Sequence, residues 1–206
     1  EPTEQYRRLL VEATLGRAGE LRRQGSAADA ATIVRSIVDA GFDSQEQTAR
    51  AARELVFAGD WRSAAPLVAK ITDSAELERL NAARVDAAVL QGERGLGNLP
   101  PDLRPDTQRV LAALTALARG DDAAAVQDVA IFADDSPFFQ WRLLVEGLAA
   151  FYSGQPALDC WQRMKADRAP AAMAAPFRAE EDKTFLSSQP ARLQSRRKMM
   201  VRTLLT

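Results

Sequence analysis

The chain has 206 residues, a formal net charge of -1, and a composition that is 47% hydrophobic and 27% charged. These values indicate one folded domain or one short repeat array, and the near-zero charge argues against a nucleic-acid partner. The absence of histidine removes the commonest general base and metal ligand. A single cysteine, Cys160, permits neither an internal disulfide nor a thiolate zinc cluster. We therefore expect no catalytic, metal-binding or cofactor-binding residues.

No window holds eighteen uninterrupted apolar residues, so no transmembrane helix is predicted. The chain begins with Glu1 rather than Met, which leaves open a removed leader or an excised piece of a longer protein. We expect a cytoplasmic protein, with the periplasm left open. Arginine outnumbers lysine 23 to 4, which we interpret as the signature of a GC-rich bacterial genome rather than as a binding signal.

Strong helix formers dominate the chain, and no stretch alternates apolar and polar residues, so the sequence predicts an all-α fold. The segment 92–105 contains three glycines and three prolines and is expected to be irregular. Pro170 and Pro176 are expected to interrupt the stretch before the last helix. The predicted helices cover 5–24, 27–40, 45–58, 61–71, 75–91, 107–119, 123–132, 138–152, 157–166 and 190–205.

Four glycines recur as two pairs, each 34 residues apart: Gly25 with Gly59, and Gly120 with Gly154. Seven positions before each glycine stands a small residue: Ala18, Ala52, Ala113 and Gly147. After each glycine an alanine begins a fixed pattern of larger residues: Ala30, Val34 and Ile37; Ala64, Val68 and Ile71; Ala125, Val129 and Phe132; and, two positions early, Ala157, Trp161 and Met164. A fixed period of this length is typical of stacked helical hairpins.

The interval from Gly59 to Gly120 is 61 residues, seven short of two periods. We therefore expect a degenerate repeat there, whose second helix is shortened or replaced by a loop. The chain is predicted to be a single domain, 1–206, with units at about 11–44, 45–78, 79–105, 106–139 and 140–170 and a last helix at about 190–205. Small residues allow the paired helices to approach closely, and glycine allows a turn with positive φ.

This pattern resembles the tetratricopeptide repeat (TPR). The residues that carry the resemblance are Gly59-Asp60-Trp61 with Ala64, and Gly120-Asp121 with Ala125 and Pro137. The sequence departs from the family at Arg17 and Glu146, where an apolar residue is usual, and at 92–105, which has no counterpart. The resemblance implies a right-handed stack of antiparallel helical hairpins, a TPR-like α-solenoid, with a C-terminal capping helix.

The same resemblance implies a concave groove lined by the first helix of each hairpin. The family's groove positions fall on Arg22, Arg23, Arg53, Phe57, Trp141 and Tyr152. Arginines beside aromatic rings would suit a carboxylate-bearing peptide tail or an acidic helix. The alternative interpretation is a solvated arginine face that lies over ordinary core aromatics.

Two further clusters each allow two interpretations. Aromatic residues concentrate towards the C-terminal end of the chain: Phe138, Phe139, Trp141, Phe151, Tyr152 and Trp161. They form either a partner-binding surface or the best-packed hairpin of the array. The C-terminal segment carries five basic residues: Arg192, Arg196, Arg197, Lys198 and Arg202. It is either a basic amphipathic helix that binds a membrane surface or an acidic partner, or a helix that caps the last repeat. We favour the capping helix. Glu180-Glu181-Asp182 is expected to be a solvated acidic turn, and Cys160 a buried small side chain.

We expect a non-catalytic protein–protein interaction module, a scaffold, adaptor or assembly factor, that binds a peptide or helix of a partner. Self-association is a second expected outcome, because the end of a hairpin stack exposes its terminal faces. The alternative is a small-molecule-binding or enzymatic helical domain in which the 92–105 loop is a lid. Residues Leu55 to Pro101 are also similar to bacterial type VI secretion accessory proteins of the ImpE type, which implies a secretion-system role.

Overall fold

The computed structural model describes residues 2–188, and every regular element in that range is helical. The all-α prediction is therefore confirmed for these residues. The predicted helix 190–205 lies outside the described residues, and so do the basic residues Arg192, Arg196, Arg197, Lys198 and Arg202. Within 2–188 no helix is both long enough and apolar enough to cross a membrane.

The chain divides into two compact units, and the division falls between Pro100 and Pro101. The helices of unit 1 are α1 (Pro2–Arg23), α2 (Ala27–Val38), α3 (Gln45–Phe57), α4 (Trp61–Val68), α5 (Ser74–Gln91) and α6 (Glu93–Leu96). Unit 2 starts with a 3-10 turn (Pro101–Leu103), and its described helices are α7 (Arg104–Ala118), α8 (Asp122–Val129), α9 (Phe139–Tyr152), α10 (Leu158–Arg163), α11 (Ala169–Glu181) and α12 (Lys183–Ser188).

Unit 1 is built from neighbouring helical hairpins. Helix α1 packs against α2, and α3 packs against α4, while α1, α3 and α5 pack side by side. Val11, Leu15 and Leu55 are at most 2% exposed and fill the space between these helices. The fully buried Ala18 and Ala52 allow the helices to approach closely, so the small residues of the repeat serve the predicted purpose.

Unit 2 is organised around α9. This helix packs against α8 and α10 as well as against α7 and α11. Trp141, Leu143 and Leu144 are all fully buried. A helix that is apolar around most of its circumference is expected to lie in a core, and α9 has that character.

The four glycine turns have the same geometry. Each glycine has φ between 69° and 87°, and the following residue donates its N–H to the carbonyl five residues earlier, which defines a Schellman motif. The four bonds are Ser26 to Leu21 at 2.9 Å, Asp60 to Leu55 at 2.9 Å, Asp121 to Ala116 at 3.0 Å, and Gln155 to Ala150 at 2.8 Å. The repeat in the sequence is therefore a repeat of local structure.

The last hairpin, α9 with α10, departs from the repeat at two positions, and the two changes compensate for each other. At these repeat positions the other hairpins carry an alanine in the first helix and a valine in the second, whereas this hairpin carries Gly147 and Trp161. A Cβ atom at Gly147 would lie 2.3 Å from a ring carbon of Trp161, which is fully buried. The glycine therefore provides the space that the larger indole requires.

The segment 92–105 is short helix and 3-10 turn rather than open loop. Helix α6 occupies one turn, and α7 already begins at Arg104. A Cβ atom at Gly95 would lie 2.4 Å from the carbonyl oxygen of Ala88, so α6 folds tightly against α5. Leu96 and Leu99 are buried as parts of unit 1. Burial of these side chains anchors the first part of the segment in unit 1.

The expected interruption at Pro170 and Pro176 is wrong, because both residues lie within α11. Pro170 occupies the first turn, where its missing N–H costs no intrahelical bond. Pro176 lies inside the helix and is buried, so packing against the unit 2 core compensates for the bond that it removes.

Candidate protein-binding site

The last turns of α1 and α3 bring Arg22, Glu54 and Phe57 together. The Nε of Arg22 donates to both carboxylate oxygens of Glu54, at 3.0 Å and 3.2 Å. The guanidinium carbon of Arg22 lies 4.6 Å from the centre of the Phe57 ring. We call these three residues the Arg22 site. Two different neighbours, one ionic and one aromatic, fix the orientation of a single guanidinium group.

Local sequence explains why these groups meet. Arg22 lies in the last turn of α1, where a cation interacts favourably with the helix carbonyls. Gly19, one turn earlier, has no side chain, and its Cβ position would lie 3.8 Å from an oxygen of Glu54. A long side chain at position 19 would therefore crowd the carboxylate. Glu54 itself is only 8% exposed, so Arg22 supplies the charge partner that a buried carboxylate needs.

The terminal nitrogens of Arg22 take no part in these two hydrogen bonds. Both hydrogen bonds that Arg22 donates within the described residues come from Nε. The Arg22 side chain is 22% exposed, so this edge of the guanidinium can reach solvent. A planar fork of N–H donors matches the two oxygens of a carboxylate.

The other predicted groove residues of unit 1 differ in accessibility. Arg23 is exposed and pairs with Glu20 at 2.9 Å, and this contact holds the pKa of Glu20 below its ordinary value. Arg53 is half-buried and lies one helical turn before Phe57 on α3. The structure therefore joins Arg22 to Phe57 directly and places Arg23 and Arg53 on the same two helices.

The two predicted groove residues of unit 2 have opposite environments. Tyr152 is 52% exposed and has edge contacts with the rings of Phe151 and Phe177. Trp141 is fully buried, so its assignment to a groove surface is wrong. The physical reason is that α9 has neighbouring helices on several sides, which leaves no open face at that position.

The aromatic residues of unit 2 are mostly core residues. Trp161 stacks on Phe177 with ring centres 6.5 Å apart, and the ring of Phe151 lies 5.2 Å from the same phenylalanine. Phe138 and Phe139 are at most 8% exposed. This packing favours the interpretation of a well-packed hairpin, and Tyr152 is the member of the cluster that is exposed.

Glu181 has a structural role that the sequence interpretation missed. Its Oε2 accepts the indole N–H of Trp161 at 2.7 Å, and its Oε1 accepts the backbone N–H of Ala157 at 3.2 Å. The expectation of a solvated acidic turn is therefore wrong for Glu181. It is also wrong for Asp182, which accepts the backbone N–H of Phe185 at 2.8 Å. A buried tryptophan needs an acceptor, which was the available signal.

Cys160 is half-buried on α10. Burial raises the pKa of its thiol, and the nearby Glu146 raises it further. A thiol with a raised pKa stays protonated at neutral pH and is a weak nucleophile. The sequence interpretation of Cys160 as a buried small side chain is therefore wrong in degree, because the residue is only half-buried.

No family model, curated protein or solved structure matches this chain. Within the described part of the chain, no group of three or more acidic or cysteine side chains is placed to hold a metal ion.

Proposed function

We propose that this chain is a non-catalytic protein-binding module, a divergent TPR-like stack of hairpins, and that its Arg22 site binds a carboxylate of a partner peptide or helix. The observation that carries the proposal is the orientation of Arg22. Glu54 and Phe57 hold the guanidinium group, and both hydrogen bonds to Glu54 use Nε rather than Nη1 or Nη2. The four equivalent Schellman turns support the stacked-hairpin architecture.

Pre-organisation is what makes this arginine suitable as a receptor. A free arginine side chain loses rotamer freedom when it binds, whereas Arg22 is already restrained by its neighbours. The nearby Arg23 adds positive charge at the end of α1, although Glu20 partly neutralises it. We expect a dissociation constant on the order of 10–100 μM for a short peptide, and weaker binding at high salt.

The test is a fluorescence-anisotropy titration with two labelled probes of the same acidic sequence, one with a free C-terminal carboxylate and one amidated. A second acidic probe, stapled as a helix, distinguishes a side-chain carboxylate from a terminal one. Arg22→Gln is expected to weaken binding about tenfold, because one charge-assisted contact is lost. Arg22→Lys should weaken it nearly as much, because the planar fork is lost while the charge is kept.

Arg23→Gln is the matched control, because Arg23 is the adjacent residue and is exposed. We expect a change of less than about threefold for this variant. Unchanged affinity in Arg22→Gln, or equal losses in both variants, would contradict the proposal. Failure of the wild-type chain to bind any of the probes would contradict it as well.

A further inference from the structure

Helix α1 has a second apolar face, opposite the face that packs into unit 1. Its inward side carries Val11 and Leu15, both buried. On its outward side Tyr6 is 70% exposed, Leu9 is 64% exposed and Leu10 is 45% exposed. Single exposed leucines are ordinary, but large apolar side chains clustered on one helix face form a patch of the kind that binds another protein.

The outward face follows the spacing of a helix–helix seam. Tyr6, Leu9, Ala13 and Gly16 are separated by three, four and three residues, the alternation that keeps one stripe facing a partner helix. Ala13 and Gly16 are both exposed. A Cβ atom at Gly16 would meet nothing within 4 Å. Glycine weakens the interior of a helix, and packing within the described residues does not explain a glycine at position 16. Close approach of another helix would explain it.

The order of side chains along this seam fits a second copy of the same chain. Two large residues are followed by two small ones, and an antiparallel second copy presents the same series in reverse. With the two-fold axis near residue 11, Tyr6 lies opposite Gly16 of the partner copy, and Leu9 lies opposite Ala13 of the partner copy. Leu10 then meets its own equivalent near the axis. Large residues facing small ones are what interdigitating helices require.

The carboxylate beside the expected two-fold axis is compatible with this pairing. Glu12 of each copy would lie near the axis, where two carboxylates would repel each other. Each Glu12 already pairs with Arg50 at 2.8 Å and accepts a hydrogen bond from Gln47 at 2.8 Å within its own copy. These contacts neutralise the carboxylate before the two copies meet.

We propose that two copies of this chain associate through the outward face of α1 in an antiparallel, two-fold symmetric arrangement. The interacting stretch, residues 6–16, is about 15 Å long at the rise of an α-helix. Such a contact buries less than about 1,200 Å², the class of weak and reversible interfaces. We therefore expect a dimer with a dissociation constant on the order of 10–100 μM. This association does not depend on the Arg22 site.

Sedimentation equilibrium of the full chain between about 5 and 500 μM tests the proposal. Wild type is expected to shift from monomer to dimer across this range, whereas Leu9→Glu should remain monomeric throughout. Gly16→Ala should weaken the dimer about fivefold while the midpoint of thermal unfolding of the monomer rises. If Gly16 had no intermolecular role, Gly16→Ala would raise the unfolding midpoint and leave the dimer unchanged. A monomeric wild type, or a dimer that both variants leave unchanged, would overturn the proposal.

Cysteine cross-linking tests the register, in a Cys160→Ala background. Leu10→Cys should give a disulfide-linked dimer on oxidation, because residue 10 lies near the two-fold axis. Tyr6→Cys alone should not, because the two copies of residue 6 would lie about 15 Å apart. A mixture of Tyr6→Cys and Gly16→Cys chains should give the mixed dimer. Efficient cross-linking of Tyr6→Cys alone would overturn the antiparallel arrangement.

Discussion

The two units build the same hairpin and use its variable positions differently. Phe57 in unit 1 and Tyr152 in unit 2 both stand two residues before a turn glycine. Phe57 is covered by Arg22, whereas Tyr152 lies against other aromatic rings. Unit 1 therefore places charged groups at its helix ends, and unit 2 places most of its aromatic residues in its core. The repeat therefore determines the turn and the helix contact, while the surrounding residues determine whether an arginine or aromatic rings lie against the side chain before the turn.

The greatest change in stability is expected at Gly147, and Gly16 provides the contrast. Both glycines lie in the first helix of a hairpin. Gly147→Ala should destabilise the chain by about 3 kcal/mol, because the new methyl group would overlap the rigid indole of Trp161. Gly16→Ala, the same change at an open position of α1, should stabilise by about 0.5–1 kcal/mol. The measurement is urea unfolding of both variants.

A double variant sharpens this test. Gly147→Ala with Trp161→Val restores the alanine and valine that the other hairpins carry at these repeat positions, so its cost should be smaller than the sum of the two single changes. Equal effects of Gly147→Ala and Gly16→Ala on the free energy of unfolding would show that the contact with Trp161 does not restrict the size of the residue at position 147.

The next effect concerns Glu181. Replacing it by alanine leaves the indole N–H of Trp161 and the amide of Ala157 without this acceptor, at a cost of about 2 kcal/mol. Glu181→Gln keeps one acceptor oxygen and should cost less. The control is Glu180→Ala, an exposed neighbour whose loss should change stability by less than about 0.5 kcal/mol. Equal losses at positions 180 and 181 would contradict the assigned role.

Sequence alone predicts the repeated parts of the fold and little of the site. The turn glycines and the small residues at Ala18, Ala52 and Ala113 follow from local geometry, which acts over a few residues and leaves a visible pattern. The burial of Trp141 and the role of Glu181 depend on which helices surround α9 and α10. No local pattern specifies that packing, so the core residue Trp141 was assigned to a groove. Glu181, which accepts the N–H groups of Trp161 and Ala157, was interpreted as part of a solvated turn.

A smaller effect is expected in the pH dependence of the stability of unit 1. Hydrogen bonding by Gln47 and by Arg50 holds the pKa of Glu12 below its ordinary value of 4.5, although partial burial opposes the shift. Burial also acts to raise the pKa of Asp60, but hydrogen bonds from Arg35 and Ser63 bring it below 3.8. A lowered folded-state pKa stabilises the fold above the unfolded-state value, and this contribution is lost as the pH falls through the folded-state value.

Hydrogen exchange read by mass spectrometry over residues 2–100 should therefore show weaker protection as the pH falls below about 4.5, after correction for intrinsic exchange rates. Glu12→Gln combined with Asp60→Asn should flatten this dependence. An equal dependence in wild type and the double variant would show that other groups determine the acid response of unit 1.

Nuclear magnetic resonance of the Arg22 side chain tests directly whether this arginine binds a carboxylate. In a chain with ¹⁵N-labelled arginine, the Nε and Nη signals of Arg22 are assigned by their loss in Arg22→Lys. Titration with an acidic peptide that has a free carboxylate should shift the Nη signals and slow their rotation, while the amidated peptide should do so much less. Peptide binding that leaves the Arg22 signals unchanged would contradict the assignment of this arginine as the carboxylate receptor.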